Sequence, residues 1–399
     1  MLNTTKRTSP SLLLYSLILL IAGGCQSNAN INKSKAHSLE ILNSTVTVNF
    51  APDGRLWRLT PTKHTVYVDY SIDKGKTYST PVRINTTEQK ITAWPENPPA
   101  IEISNSGRIN VLYYADAEQK STSFYSYSDD NGQTFSIPSL ISDHAQTAKH
   151  YMDKMLIDKE DTLYIFWHDM RHQSHDKTRG AGVLSLYYSK KKQSDNSQFN
   201  NKFISGGICS CCRTATTFSA NDKPVILARM VYNNGVRDHA LIQMDKMGRW
   251  QKPQRVTHDN WKIEACPEHG PSIAIDDKNR THLTWFTLGD TRQGIFYGHT
   301  DDFGKTVSAP ITLGNINHIP SHPDVIALKQ RVVVVWKEFD GVQTSLHIKE
   351  SLDRGETWTD KATGLKSQSK NSHPKLITNN TDIFLSWTSK NEGHQLIKI

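Results

Sequence analysis

Four cysteines lie in two short motifs that could carry chemistry. The first motif is C-x-C-C-R at 209–213, and the second is C-P-x-H-G-P at 266–271. Thiolates and imidazoles bind soft ions, so a copper or zinc site is one interpretation. Structural disulfides among the same cysteines are the alternative, and redox-active thiols are a third. The candidate metal ligands are Cys209, Cys211, Cys212, Cys266 and His269.

A second set of residues has the types needed to bind and cleave an acidic sugar. Arginine binds carboxylates through paired hydrogen bonds, and a carboxylic acid beside it could protonate a leaving group. For each residue alone, a structural ion pair is the competing interpretation. The candidate catalytic residues are Asp238, Glu268 and His269. The candidate substrate-binding residues are Arg213, Arg237, His239, His322 and His373.

A repeated motif predicts the elements that position these residues. It reads [ST]-x-D-x-G-x-T and suits a hairpin turn, because the Asp accepts hydrogen bonds from turn N–H groups and the Gly permits a positive φ. Alternating β segments follow each copy, and no long helical pattern occurs. The aspartates of the four copies are Asp73, Asp130, Asp302 and Asp353.

This repeat resembles the Asp box (BNR repeat) of the sialidase (neuraminidase) superfamily and related β-propellers. The resemblance implies an all-β propeller with four-stranded blades, and activity of the exo-sialidase type on acidic glycans. The R-I-P-type triplet of sialidases is absent ahead of the first box, where 54–58 reads G-R-L-W-R. The two cysteine motifs and R-D-H-A at 237–240 are similar to a branch of bacterial sialidase-like lipoproteins.

The spacing of the boxes predicts the number of blades. The gap between the second and third copies is about three times the gap between the first two, so two decayed copies are expected at Tyr188–Phe199 and Met244–Trp250. A further unit of three strands begins at Ser372. We favour seven blades, with Leu39–Leu42 supplying the missing strand that closes the ring, and six blades as the alternative.

The position of each box within its blade, which we call the blade phase, predicts the face of the propeller on which the candidate residues lie. The box turns join third and fourth strands on one face, whereas the cysteines and many of the histidines occur in loops that lead to the opposite face. We therefore expect these residues to meet near the central channel, where a glycan or small-molecule ligand would bind.

The N-terminal residues predict export. Lys6 and Arg7 precede an apolar segment that ends in A-G-G-C, so residues 1–24 read as a lipoprotein signal peptide and Cys25 as the lipidated residue. Residues 25–37 read as a flexible tether and 38–399 as the propeller domain. Gln26 favours the outer over the inner bacterial membrane. We expect a monomer, anchored in the cell envelope by lipid alone and facing the periplasm or the cell surface.

The formal charge of +8 is spread along the chain and indicates no nucleic-acid partner.

Three functions fit the sequence. The first is a glycoside hydrolase related to sialidases. The second is a periplasmic metal-dependent or thiol-dependent protein that uses the Cys/His face. The third is a non-catalytic scaffold that binds a glycan or a protein. No cofactor is certain from the sequence, and copper and zinc are the ones that the cysteines suggest.

Overall fold

Short β-strands joined by tight turns make up the fold. The computed structural model describes residues 45–117, 120–144, 150–172, 183–195 and 197–399. The predicted signal peptide, Cys25, the tether and the closing strand Leu39–Leu42 lie outside these residues. Within the described part of the chain, no helix has the length and apolar character needed to cross a membrane.

The strands occur in consecutive antiparallel groups that follow chain order. The first two groups are β1 (Thr47–Phe50), β2 (Leu56–Pro61), β3 (Val66–Ser71), β4 (Val82–Arg83), and β5 (Ala100–Ile103), β6 (Ile109–Ala117), β7 (Lys120–Ser128), β8 (Ser139–Leu140). The next two are β9 (His150–Ile157), β10 (Thr162–Asp169), β11 (Val183–Lys192), β12 (Lys202–Cys209), and β13 (Ala215–Phe218), β14 (Pro224–Val231), β15 (Arg237–Gln243), β16 (Gln254–Arg255). The last three are β17 (Ser272–Ile275), β18 (Thr281–Leu288), β19 (Gln293–Thr300), β20 (Ile311–Leu313), then β21 (Ser321–Leu328), β22 (Arg331–Phe339), β23 (Thr344–Ser351), β24 (Thr359–Ser367), and β25 (Lys375–Thr378), β26 (Ile383–Ser389), β27 (Gly393–Lys398). Two short 3₁₀ turns complete the elements, Asn233–Gly235 and Ile316–His318.

Hydrogen bonding divides the described strands into six sheets. Four sheets have four strands and the last, β25–β27, has three. Strands β9–β16 form one larger sheet, because β12 pairs with β14 at Ile208 and Met230. This sheet still contains two consecutive groups of four strands, so the sequence repeat and the hydrogen-bonded sheets divide this segment differently.

The core lies between neighbouring sheets. Trp57, Trp167, Trp285 and Trp387 stand on the second strand of their groups and are at most 2% exposed. Trp57 packs with Ile101 of the next sheet, so burial of these large rings holds adjacent sheets face to face. Trp167 and Trp285 are therefore core residues, and neither is free to stack on a sugar.

The four intact boxes form the predicted turns. In each, the Asp carboxylate accepts hydrogen bonds from the backbone N–H and the hydroxyl of the Thr four residues later; for Asp353 and Thr357 the distances are 2.9 and 2.6 Å. The Ser351 hydroxyl donates to Asp353 and accepts from the Gly355 N–H, whose residue has φ +88°. Each box joins the third and fourth strands of its group, as expected.

The first strands of the groups follow one another around a common cavity. Strand β1 contacts β5, β5 contacts β9, and the series continues through β13, β17, β21 and β25, which contacts β1. The cavity that these strands surround has a volume of about 530 Å³ and is lined by residues of all seven. The lining of this axial cavity includes Arg213 and His373, two of the residues singled out in the sequence.

Candidate functional site

The axial cavity is bordered by a cluster centred on Glu96. This carboxylate precedes β5 and is 2% exposed. Arg213, which precedes β13, donates from Nη1 to Oε2 of Glu96 at 2.9 Å. His322 Nδ1 and His373 Nε2, from the starts of two later groups, each lie 3.3 Å from the other oxygen, Oε1. Four separate strand groups therefore place one side chain each at this axial cluster.

Electrostatics keep Glu96 ionised and the histidines neutral. Burial acts to raise the pKa of Glu96, but the charge of Arg213 and the contacts of His322 and His373 hold it well below its usual range. Burial lowers the pKa of His373 to about 3 and that of His322 well below its usual value. Neutral imidazoles beside a carboxylate are also the donor set of many metal sites.

Three imidazole rings stack across the cluster. The rings of His322 and His373 are 3.5 Å apart, and those of His269 and His322 are 4.7 Å apart. His269 also stacks on Phe286 at 4.0 Å. Burial is the largest cause that lowers the pKa of His269 to about 2, and electrostatic coupling to the His322 ring adds to it, so this ring is a poor base near neutral pH.

Two half-buried lysines make the surroundings of Glu96 electropositive. Burial lowers the pKa of both Lys154 and Lys337 to about 8, and the charge of Arg213 acts in the same direction. Both side chains remain mostly protonated at neutral pH. Together with Arg213 they outnumber the charge of Glu96, and this imbalance favours an anionic ligand.

Two carboxyl groups on the cavity wall have raised pKa values. Burial raises the pKa of Asp153 on β9 to about 7 and that of Glu102 on β5 to about 8. The Ser123 hydroxyl donates to Asp153 Oδ2, whereas Oδ1 is buried without a hydrogen-bond partner among the described residues. The backbone N–H of Asp153 donates to Asn97, the neighbour of Glu96, at 3.0 Å. A carboxyl group that titrates near neutral pH therefore lies on the cavity wall, close in the fold to the ionised Glu96.

The C-P-x-H-G-P motif packs directly against Arg213. A Cβ atom on Gly270 would lie 2.2 Å from Arg213 Cγ and 2.7 Å from its carbonyl oxygen, so only glycine fits there. Arg229, which is 1% exposed, donates to the carbonyl oxygens of Arg237, His269 and Phe286 at 3.1, 3.1 and 2.7 Å. These contacts connect the C-P-x-H-G-P motif with the loop that contains Arg213 and with the R-D-H-A motif at 237–240.

A separate thiol cluster lies between β12 and β13. Its members are the buried residues Cys209, Cys211 and Cys212, and none of the three forms a disulfide. Their sulfur atoms lie within 4.8 Å of one another, with Cys209 at 3.9 Å from Cys211 and 3.7 Å from Cys212. Arg237 Nη1 donates to the Cys209 sulfur at 3.1 Å.

The charges around the thiols favour one thiolate. Hydrogen bonding with Cys211 and Cys212, together with the charges of Arg229 and Arg237, holds the pKa of Cys209 well below its usual range. Hydrogen bonding with Cys209 raises the pKa of Cys211, and burial raises that of Cys212 to about 12.

Two groups in the described part of the chain have ligand atoms close enough together to hold a metal ion: this thiol cluster, and Glu96 with His322 and His373.

The structure divides the predicted site residues into two sites and several outliers. Arg213, His269, His322 and His373 meet at the axial cluster. Arg237 joins the thiol cluster, and the buried His239 lies near enough for the Cys209 charge to act on it.

The remaining candidates lie apart. Asp238 is paired with Arg255 and accepts from the Asn260 N–H, so its carboxylate has structural partners. Glu268 and Cys266 are exposed. The set of four cysteines with His269 is therefore not assembled at one point, because His269 stacks on His322 instead.

Sequence reasoning missed Glu96, Asp153 and Lys154. Glu96 stands in a loop leading to an inner strand, and this position was the available signal. Asp153 and Lys154 carried no signal, because only the assembled cavity buries them and shifts their pKa values.

Comparisons with known proteins identify the fold. No family model and no curated protein matches the chain. Among solved structures, it is similar to the Hadza microbial sialidase Hz136, with 13% identity and a TM-score of 0.51 over 87% of this chain and 75% of that one. It is also similar to the polysaccharide lyase PL25 ulvan lyase bound to -[GlcA(1-4)Rha3S]-, with 11% identity and a TM-score of 0.56 over 90% and 95%. The predicted all-β, sialidase-like propeller fold is confirmed.

Proposed function

We propose that this chain is a seven-bladed propeller that binds and hydrolyses an acidic glycan at the axial cavity. The observation that carries the proposal is the electropositive cluster at the end of that cavity, where Arg213, Lys154 and Lys337 outnumber Glu96. A carboxylate or sulfate group of a sugar has the charge that this arrangement favours. The cyclic order of the seven first strands supports the blade count.

The carboxyl groups of Asp153 and Glu96 have complementary roles in this proposal. With a pKa of about 7, the Asp153 carboxyl group is protonated in about half of the molecules at neutral pH, and this proton can pass to the oxygen of the departing sugar. Glu96 stays ionised and can stabilise positive charge on the sugar ring or activate water. The neutral histidines donate hydrogen bonds to the ligand. The fold is shared with a sialidase and a polysaccharide lyase, and this likeness is consistent with action on a glycan.

The cell envelope is the proposed location. The lipobox at Cys25 and the polar tether support a lipid-anchored protein that meets glycans outside the cytoplasm. Incorporation of a labelled fatty acid, and its loss in Cys25→Ser, tests this part separately from the catalytic proposal.

The catalytic proposal is tested on a panel of glycans. The purified domain is incubated with sialosides, with uronate-containing and sulfated oligosaccharides, and with neutral arabinan. Hydrolysis adds one water to the products, whereas elimination leaves an unsaturated sugar that absorbs in the far ultraviolet, so mass and absorbance distinguish the reactions. We expect hydrolysis of acidic members only.

Matched variants then test the residues. Asp153→Asn should lower kcat by about 10²–10⁴-fold, because the general acid is lost. Lys154→Gln should mainly raise KM. The control is Asp129→Asn, an exposed Asp that pairs with Arg108 on the box face. Turnover of neutral glycans alone, or full activity of Asp153→Asn, would refute the proposal. Binding without turnover of any acidic glycan would leave a scaffold and refute catalysis.

A further inference from the structure

We infer that Cys209, Cys211 and Cys212 form a buried trithiolate site for copper(I). This site is separate from the axial cluster and does not depend on the proposed glycan activity. The first observation is its geometry. Sulfur atoms bound about 2.3 Å from one ion lie about 3.8 Å apart in tetrahedral geometry and about 4.0 Å apart in planar three-coordinate geometry. The distances of 3.7 and 3.9 Å from Cys209 match these spacings, and the third pair of sulfur atoms lies within 4.8 Å.

The second observation is the presence of buried nitrogen donors beside the thiols. His168 and His239 are 0% and 1% exposed, and neither ring nitrogen of either residue has a hydrogen-bond partner within the described ranges. Buried polar atoms are normally satisfied, and each exception calls for a physical reason. Both rings lie close enough to Cys209 for its charge to act on them, so a bound ion would have unpartnered imidazole nitrogens in its surroundings.

Coordination number favours copper(I) over zinc. Zinc in a closed protein site takes four ligands, typically thiolates and imidazoles. In the described part of the chain, no His, Asp or Glu ligand atom joins the three sulfur atoms within 4.8 Å. Three thiolates in a buried cluster with Val183 and Val231 suit a soft ion of low coordination number.

Charge balance gives the same preference. Three thiolates and copper(I) carry a net charge of −2, whereas three thiolates and zinc carry −1. Arg237 donates to the Cys209 sulfur, and the charge of Arg229 acts on both Cys209 and Cys212. The two guanidinium groups offset the charge of the copper(I) complex. Arg237 is therefore a positioning residue, which orients the Cys209 sulfur without binding the ion.

The loading experiment uses the full mature chain, reduced and kept without oxygen. Copper(I) is added as a complex with a chromophoric chelator, and the retained copper is measured after desalting. We expect one equivalent per chain, with thiolate-to-copper charge-transfer absorption. Retention should fall to none in Cys209→Ser and in Cys212→Ser. Cys266→Ser is the matched control, because Cys266 is exposed and apart from the cluster, and it should retain one equivalent.

Further measurements separate the alternatives. Arg237→Gln should weaken copper(I) binding by about 10–100-fold, as expected for loss of an outer hydrogen bond to a ligand. His239→Phe should retain one equivalent if coordination is by sulfur alone. If a serine variant fails to fold, alkylation of the wild-type chain gives the answer: bound copper(I) should block modification of the three buried cysteines and leave Cys266 reactive.

Three results would overturn the inference. One is a wild-type chain that retains no copper(I). Another is uptake of zinc(II) but not copper(I) by the reduced chain. The last is an exported protein whose mass is lower by two hydrogens because a disulfide joins two of these three cysteines, since that bond would remove two of the ligands.

Discussion

Gly270→Ala tests whether the axial cluster depends on the close approach of two loops. The new methyl group would lie 2.2 Å from Arg213 Cγ and 2.7 Å from the Arg213 carbonyl oxygen, well inside van der Waals contact. The carbonyl belongs to the backbone and cannot rotate away, so the loop containing Arg213 must shift by about 1 Å. A shift of this size breaks the 2.9 Å hydrogen bond from Arg213 to Glu96.

The expected cost has two parts. Overpacking of a buried contact costs about 1–3 kcal/mol. Complete loss of the partner of a buried charge costs about 3–5 kcal/mol, so Gly270→Ala should destabilise the domain by between about 1 and 5 kcal/mol. The assay is urea unfolding followed by tryptophan fluorescence, together with binding of the acidic glycan identified in the panel.

Gly206→Ala is the matched control. Gly206 is exposed on β12, its φ is not positive, and a Cβ atom there would meet nothing within 4 Å. Its replacement should change stability by less than about 1 kcal/mol and leave ligand binding intact. If Gly270→Ala is as stable as Gly206→Ala and binds ligand as the wild type does, the contact between the two loops is not as described.

Two other changes probe the buried charges. Burial raises the pKa of Glu102 to about 8, so the stabilising contribution of its protonated form is complete below its unfolded pKa of about 4.3 and is lost as the pH rises toward 8. Glu102→Gln should therefore flatten the decline in the free energy of unfolding between pH 5 and 8. A decline as steep as in the wild type, measured by urea unfolding at several pH values, would contradict this. Arg229→Met leaves three carbonyl groups without their donor and should cost at least about 3 kcal/mol, whereas Arg249→Met, at a side chain that is 76% exposed, should cost little in the same assay.

The sequence predicted the fold well because its signal is local. Asp353, Thr357 and Gly355 lie within five residues, and their turn forms from contacts among themselves. The decayed copy at Met244–Trp250 keeps part of this turn, because Asp245 still accepts from the Arg249 N–H at 2.9 Å. The spacing of such turns fixes which face each loop occupies, and this is why the motif residues were expected to converge.

The composition of the site was harder to predict because it depends on distant contacts. Glu96 and Arg213 are separated by more than a hundred residues, and Glu96 meets His373 only when the last group of strands approaches the second. Asp238 had the residue type of a catalytic acid, yet pairing with Arg255 engages its carboxylate. Blade phase predicts the face on which a side chain lies, but partner choice on that face depends on packing at the scale of a few ångströms.

The two sites share a framework, and this determines how variants must be compared. Arg213 of the axial cluster directly follows Cys212 of the thiol cluster in the chain. Arg229 donates to the carbonyl oxygens of Arg237, which bonds to Cys209, and of His269, which stacks on His322. A change at either cluster can therefore reach the other through the backbone. Loss of glycan turnover in Cys212→Ser would accordingly not make the thiols catalytic, because displacement of Arg213 has the same effect. Cys209→Ser removes a thiol that is not adjacent to Arg213, whereas Gly270→Ala displaces Arg213 and removes no thiol. Comparison of these two variants separates the two causes.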